Sequence, residues 1–129
     1  MNIPEDLKYT REHEWLRIDG DTVLIGITDY AQDQLGEIVF VELPEEGEEF
    51  NSGESFGVVE SVKSVSDVFL PFTGIIRELN DPITDNPETI NDDPYGEGWI
   101  VRAEVLHKNE LDELLSAEEY AAYVKEEMV

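Results

Sequence analysis

The chain has 129 residues, 40% of them apolar, and a formal net charge of −24 from 32 acidic and 8 basic side chains. It contains no cysteine, so disulfides, thiolate metal sites and cysteine nucleophiles are excluded, and any sulfur redox chemistry must arrive on an attached cofactor. The length suits one domain with a proper core, and the acids, spread from Glu5 to Glu127, mark an acidic folded surface that repels nucleic acid and anionic membrane. Such a surface suits partners with basic docking faces and salt-sensitive encounters, or else serves solubility or tolerance of a salty cytoplasm. The amino terminus lacks the apolar centre of a signal peptide, and no apolar run approaches a membrane span. A soluble, cytoplasmic protein is expected.

Residues 1–8 read as a lead-in with a turn around Pro4–Leu7. A strand is expected from Tyr9 to Ile18, then a turn at Asp19-Gly20-Asp21 and a returning strand over Thr22–Ile27. A DG pair between two such runs is a strong hairpin signal. Thr28 or Asp29 can cap a short helix through Tyr30, Ala31 and Leu35, and Gly36 stands where a left-handed stop belongs. Glu37–Leu43 is a further strand, closed by Pro44, and an acidic, turn-rich segment follows to Gly53. Pro71-Phe72-Thr73-Gly74 makes a turn into a strand at Ile75–Leu79. Residues 80–98 read as loop, and Trp99–Val105 as the last strand. Asn109 can cap a short helix over Leu111, Leu114 and Leu115, and Ser116 with Glu119 forms a capping-box pattern opening a helix through Val124. The segment 109–127 is expected to pack as helices on a β body. Residues 47–53 and 80–86 share a weak template: a residue tolerant of positive φ at each end and an apolar residue between.

The stretch Val58–Phe69 stands out. β-Branched and aromatic residues flank Lys63 on both sides, and Ser61, Ser64 and Ser66 suit a tight reversal, so one ammonium group sits at a hairpin tip. Only four lysines occur, and Lys8, Lys108 and Lys125 lie in ordinary settings; Lys63 alone lies between small residues where an enzyme can reach around it. His13 and Glu14 fall on opposite faces of an alternating strand, and His107 is far along the chain, which argues against zinc. No Gly-x-Ser-x-Gly elbow, phosphate loop or dinucleotide fingerprint is present. The chain is therefore unequipped as a stand-alone catalyst.

Several blocks in order make the sequence recognisable: Tyr9-Thr10-Arg11-Glu12-His13-Glu14-Trp15, Gly26-Ile27-Thr28-Asp29-Tyr30-Ala31-Gln32, Leu35–Pro44 and Glu60-Ser61-Val62-Lys63, followed by Asn91, Pro94-Tyr95 and Gly98-Trp99. Over almost its whole length the chain resembles the glycine cleavage H-protein family of lipoyl carriers. It departs at Ser64-Val65, where a smaller pair is expected, and at the bulky Phe69-Leu70. The resemblance implies a mainly β fold: a flattened lipoyl-type β-barrel or sandwich hybrid with short helices, some of them C-terminal. It implies lipoic acid amide-linked to Lys63, with Glu60, Ser61, Val62 and Ser64 read by the modifying enzyme. Implied partners are the glycine decarboxylase (P protein), the aminomethyltransferase (T protein), dihydrolipoyl dehydrogenase (L protein) and a lipoate-attaching enzyme, all served by a monomer. Glu14 becomes the candidate contact for the amine carried on the arm.

Other readings remain open beside this one. A biotin carrier shares the hairpin lysine but is expected to flank it with methionines, where Val62 and Ser64 stand here. A helical acyl carrier needs Asp-Ser-Leu, against Glu60-Ser61-Val62 in a strand-rich chain. A lipoyl-relay relative of the family would keep both Lys63 and Glu60.

Overall fold

A computed structural model describes residues 1–128. The strands are β1 (Lys8–Tyr9), β2 (Glu14–Asp19), β3 (Thr22–Ile27), β4 (Ile38–Glu42), β5 (Glu49–Phe50), β6 (Ser55–Ser61), β7 (Val65–Phe69), β8 (Gly74–Leu79) and β9 (Val101–Val105). The helices are α1 (Asp29–Leu35), α2 (Pro82–Asp85), α3 (Thr89–Asp92) and α4 (Ala117–Glu127), with a 3-10 helix at Lys108–Glu113. Two antiparallel sheets result, one in the order β1-β2-β3-β9-β8-β5 and one in the order β4-β6-β7. Alternating strands give each sheet one apolar face. Leu16, Ile25, Ile76 and Ala103 from the first sheet and Ile38, Val41, Val59 and Val68 from the second share one buried cluster. The expected mainly β, sandwich-like architecture with short helices is what forms.

The hairpin of β2 and β3 is in register from Asp19↔Thr22 to Glu14↔Ile27, and Gly20 takes φ 63° at its turn. Within it, Trp15 is fully buried over Gly26, where a Cβ would lie 2.6 Å from the indole nitrogen. Only glycine admits the ring, whose Nε1 donates to the Pro94 carbonyl at 2.8 Å. Thr28 caps α1 by accepting from the Ala31 amide at 3.2 Å, and the Gly36 amide, at φ 83°, donates to the Gln32 carbonyl at 2.9 Å. The capping box at Ser116 and Glu119 closes in both directions, at 2.9 and 3.1 Å.

Several expectations are corrected. The first strand is broken: residues 10–13 turn, and His13 takes φ 67°, the one non-glycine positive φ among the described residues. His13 therefore does not sit on a strand at all. It lies in a cage of Tyr30, Tyr120 and Tyr123, with Nδ1 2.8 Å from the Tyr120 hydroxyl and Nε2 2.9 Å from Glu127. Glu49–Phe50, placed in the acidic turn segment, pairs with β8 as a short strand. The segment 80–98 is not all loop, because buried Ile83 and Ile90 anchor two one-turn helices, with Pro82 at the start of α2 where its missing N–H costs nothing. The last strand begins at Val101 rather than Trp99, since the Trp99 carbonyl accepts from the Asn80 side chain at 2.5 Å instead of a ladder partner. No helix runs from Asn109 to Leu115: a 3-10 helix is followed by Leu115 bridging Tyr9 with backbone bonds of 2.9 and 2.8 Å. The repeat template holds in its first copy, with Gly47 and Gly53 both at φ 89°, and fails in its second, where neither Asn80 nor Asn86 has positive φ.

Candidate functional site

Lys63 sits at the tip of the β6–β7 hairpin. The two strands pair from Ser55↔Phe69 to Glu60↔Val65, leaving Ser61–Ser64 to make the reversal. None of these four residues has positive φ, so the primed turns common in hairpins are not used. Ser61 supplies the missing closure. Its amide donates to the Ser64 carbonyl at 2.8 Å, while its buried hydroxyl accepts from the Lys63 and Ser64 amides at 3.3 and 3.0 Å. The same hydroxyl lies 3.2 Å from the Ser64 carbonyl, to which it can donate, so its full hydrogen-bonding capacity is spent inside the turn. Val62, Lys63 and Ser64 are exposed. Among the described residues none forms an ion pair or hydrogen bond with the Lys63 ammonium.

The tip is braced from outside the hairpin. The Val62 amide donates to the Glu37 carbonyl at 3.1 Å, and Glu37 belongs to the short link between α1 and β4. That link is in turn held by Asn91, whose Oδ1 accepts from the Ile38 amide at 2.9 Å and whose Nδ2 donates to the Gly36 carbonyl at 2.9 Å and to Gln32 Oε1 at 3.0 Å. The aliphatic stem of Lys63 runs over Gly36, with Cε 3.3 Å from where a Cβ would be. A rigid platform thus presents a flexible side chain ending in an unpaired amine. Asn91 was singled out only as one matching position; its bracing role joins residues more than fifty positions apart and leaves no local sequence signal.

Glu14 is also where function was expected, and its setting is different. It is buried at 2% exposure, next to a cavity of about 230 Å³ lined by Thr10, Glu12, Ser52, Phe69 and Pro71 among others. Its Oε2 accepts from the Phe69 amide at 2.6 Å and its Oε1 from the Thr10 hydroxyl at 3.1 Å. Burial pushes its carboxyl up to about 8, against the opposing pull of those two hydrogen bonds. Phe69 ends the same strand, β7, that begins beside Lys63. From Val65 to Phe69 the strand covers four steps of about 3.3 Å, roughly 13 Å. The structure therefore does not bring Glu14 to the Lys63 amine; it places a buried acid and a small cavity one strand's length away from it. Glu60, half-buried, lies on β6 opposite Val65 on one side and Phe40 on the other.

Chemically, the turn offers one exposed primary amine that a modifying enzyme can reach. No group of three or more metal-ligating side chains gathers among the described residues, and no helix is long and apolar enough to cross a membrane.

Comparison with known proteins is consistent along the whole chain. The family model described as glycine cleavage H-protein matches residues 7–127. The glycine cleavage system H protein of Halothermothrix orenii is 55% identical over 126 residues, covering 98% of each chain. A probable glycine cleavage system H protein of Haloarcula marismortui is 53% identical over 93% of this chain and 94% of its own. Among solved structures, a glycine cleavage system H protein from Mycobacterium marinum superposes with a TM-score of 0.86 at 47% identity, over 93% of this chain and 97% of that one.

Proposed function

The chain belongs to the glycine cleavage H-protein family, and we infer that it serves there as a lipoyl-bearing shuttle with no catalytic residues of its own. It carries the aminomethyl group of glycine from a pyridoxal-phosphate-dependent decarboxylase to a tetrahydrofolate-dependent aminomethyltransferase, and a dihydrolipoyl dehydrogenase restores it. The observation that carries the reading is Lys63: the unpaired amine on a turn closed by Ser61 and braced by the Glu37 carbonyl. Lipoate in amide linkage to that amine would supply the dithiolane, and hence the sulfur chemistry that a cysteine-free chain lacks. Residues 1–129 act as one carrier unit, with 109–127 as packing rather than a separate module, and a cytoplasmic, monomeric protein fits the role. The biotin-carrier alternative has no support among the relatives.

The polypeptide's contribution is positional. Tethering confines a reactive group near successive sites at high effective concentration. Ser61 and Asn91 fix where the tether starts, and Gly36 leaves its stem room to swing. The Glu14 cavity, a strand's length away, suits the far end of a long arm. A cationic amine entering there favours the carboxylate, so Glu14 releases its proton as the amine docks and then pairs with it. Low water access around a buried carboxyl would protect a labile group.

The test is intact mass after incubation with lipoate, ATP and a lipoate–protein ligase. One lipoyl increment is expected, and none in Lys63→Arg. Addition at another residue, or a biotin adduct with a biotin ligase, would overturn the assignment. For Glu14, the release rate of aminomethyl from the loaded carrier is expected to rise in Glu14→Ala; an unchanged rate removes Glu14 from the proposal.

A further inference from the structure

Around the Lys63 tip the three-stranded sheet turns apolar side chains to solvent. Phe40 is 51% exposed, Val39 47%, Val62 67% and Val65 65%. The cross-strand register makes this a patch rather than a scatter. Phe40 on β4 pairs with Glu60 on β6, which pairs with Val65 on β7, so the three stand in one row on the outward face. Val39 joins them because the register shifts between Ile38 and Phe40, and a bulge there turns two successive residues outward where strict alternation would bury one. Val62 lies beside the lysine itself. Acids rim the row: Glu37 at the link, and Glu42 and Asp67 in the next row along the same face.

We propose that this patch is the docking surface for the enzyme that acylates Lys63, and that this enzyme meets it with an apolar contact ringed by cations. The proposal rests on the carrier reading above and adds to it the β4 residues that no local motif near the lysine includes. Geometry selects this occupant. Enzymes that read the far end of an acyl arm can stand off by the arm's length. The attaching enzyme cannot: Lys63 Nζ attacks the carbonyl carbon of an acyl adenylate, the C–N bond forms as the C–O bond to AMP breaks, and the amine loses its proton. That attack requires Nζ itself to be inside the active site, so the surrounding tip and its row fall within the enzyme's footprint. Exposed aromatic and aliphatic side chains at such a point are the expected centre of an interface. The rim decides the charge of the partner, because Glu37, Glu42, Glu60 and Asp67 face whatever covers the patch, on a chain of net charge −24.

The test measures kcat/KM for lipoyl attachment to the full chain by a lipoate–protein ligase with lipoate and ATP, read by intact mass. Each side chain is large enough to anchor an interface when buried, so Phe40→Ser and Val65→Ser are each expected to lower kcat/KM roughly tenfold or more. The rate for the unsubstituted chain is expected to fall with added salt. Val65 is two-thirds exposed, so Val65→Ser keeps the fold even if Phe40→Ser does not. An unchanged rate in Val65→Ser overturns the docking surface, and a rate indifferent to salt overturns its cationic ring. Self-association of the unsubstituted chain that Val65→Ser abolishes would assign the patch to a second copy and overturn the proposal too. If the unsubstituted chain takes up no lipoyl group, the carrier reading itself fails; uptake at equal rates in all variants strikes only the docking surface.

Discussion

At the scale of single residues, Glu14 is the side chain whose environment is most at odds with its charge. It is almost fully buried, and its two hydrogen bonds from the Phe69 amide and the Thr10 hydroxyl only partly offset desolvation, so its carboxyl titrates near 8 instead of the usual 4.5. In the unfolded chain the carboxyl loses its proton near 4.5; in the folded chain it holds it until about 8. The folded state therefore binds more protons between those values, and stability falls as pH rises through that window, with the cost complete above 8. Glu14→Gln keeps an acceptor for the Phe69 amide and cannot ionise. It is expected to be more stable than the parent at pH 9 by on the order of a few kcal/mol, with the difference closing by pH 4. Urea denaturation of both proteins at pH 4, 6 and 9 checks this; parallel profiles would mean that Glu14 carries no such penalty. The same raised proton affinity makes the residue suited to a transient cation, because it is neutral until one arrives.

At the scale of elements, the platform under Lys63 depends on a link that belongs to neither strand of its hairpin. Asn91→Ala removes the acceptor of the Ile38 amide and the donor to the Gly36 carbonyl, leaving part-buried backbone groups unpaired at about 1–3 kcal/mol. The Glu37 carbonyl then loses its fixed position against the Val62 amide. Asn91→Ala is expected to lower the urea midpoint and to slow lipoyl attachment at Lys63, while Asn91→Asp, which keeps the acceptor, recovers part of the midpoint. A variant with full attachment rate would show that the turn holds itself. Against this, the strands themselves were legible in advance. Alternation and turn residues are local properties, and the DG turn, the Thr28 cap and the Ser116 capping box all form as read. What was not legible is held by distant partners. His13 breaks the first strand because Tyr30, Tyr120 and Glu127 capture its ring. The one-turn helices of 80–98 exist because the core accepts Ile83 and Ile90. Leu115 leaves its expected helix to extend the sheet at Tyr9. For the site, the tip lysine was visible from its flanking residues, yet the exposed row across β4, β6 and β7 needed the register and the bulge. Ser61 was visible as a small residue beside the lysine, yet the hydrogen bonds its hydroxyl makes across the turn needed the structure.

At the scale of the whole molecule, the acidity acts against the fold that carries it. Among the described residues the four arginines and four lysines give three ion pairs with acids, Arg77–Glu104, Arg102–Glu78 and Lys108–Asp21, all of them largely exposed. Exposed pairs contribute little, so most of the net −24 is uncompensated and repels itself across the surface. Screening shortens the reach of that repulsion, from a Debye length of about 30 Å at 0.01 M salt to about 10 Å at 0.1 M and about 3 Å at 1 M. The folded state concentrates charge more than the unfolded chain does, so it gains more from screening. The melting temperature is therefore expected to rise by several degrees between 0.01 and 0.5 M sodium chloride. The rate of lipoyl attachment is expected to move the other way, since salt weakens the attraction between the acidic rim of the Lys63 patch and a cationic partner. Measured together on one preparation, the two trends separate the possible reasons for the acidity. A melting temperature that rises while attachment holds constant would make the charge an adaptation to salt; opposed slopes would make it a means of docking as well. A melting temperature that falls with salt would mean that the surface ion pairs outweigh the repulsion, which the scarcity of cations argues against.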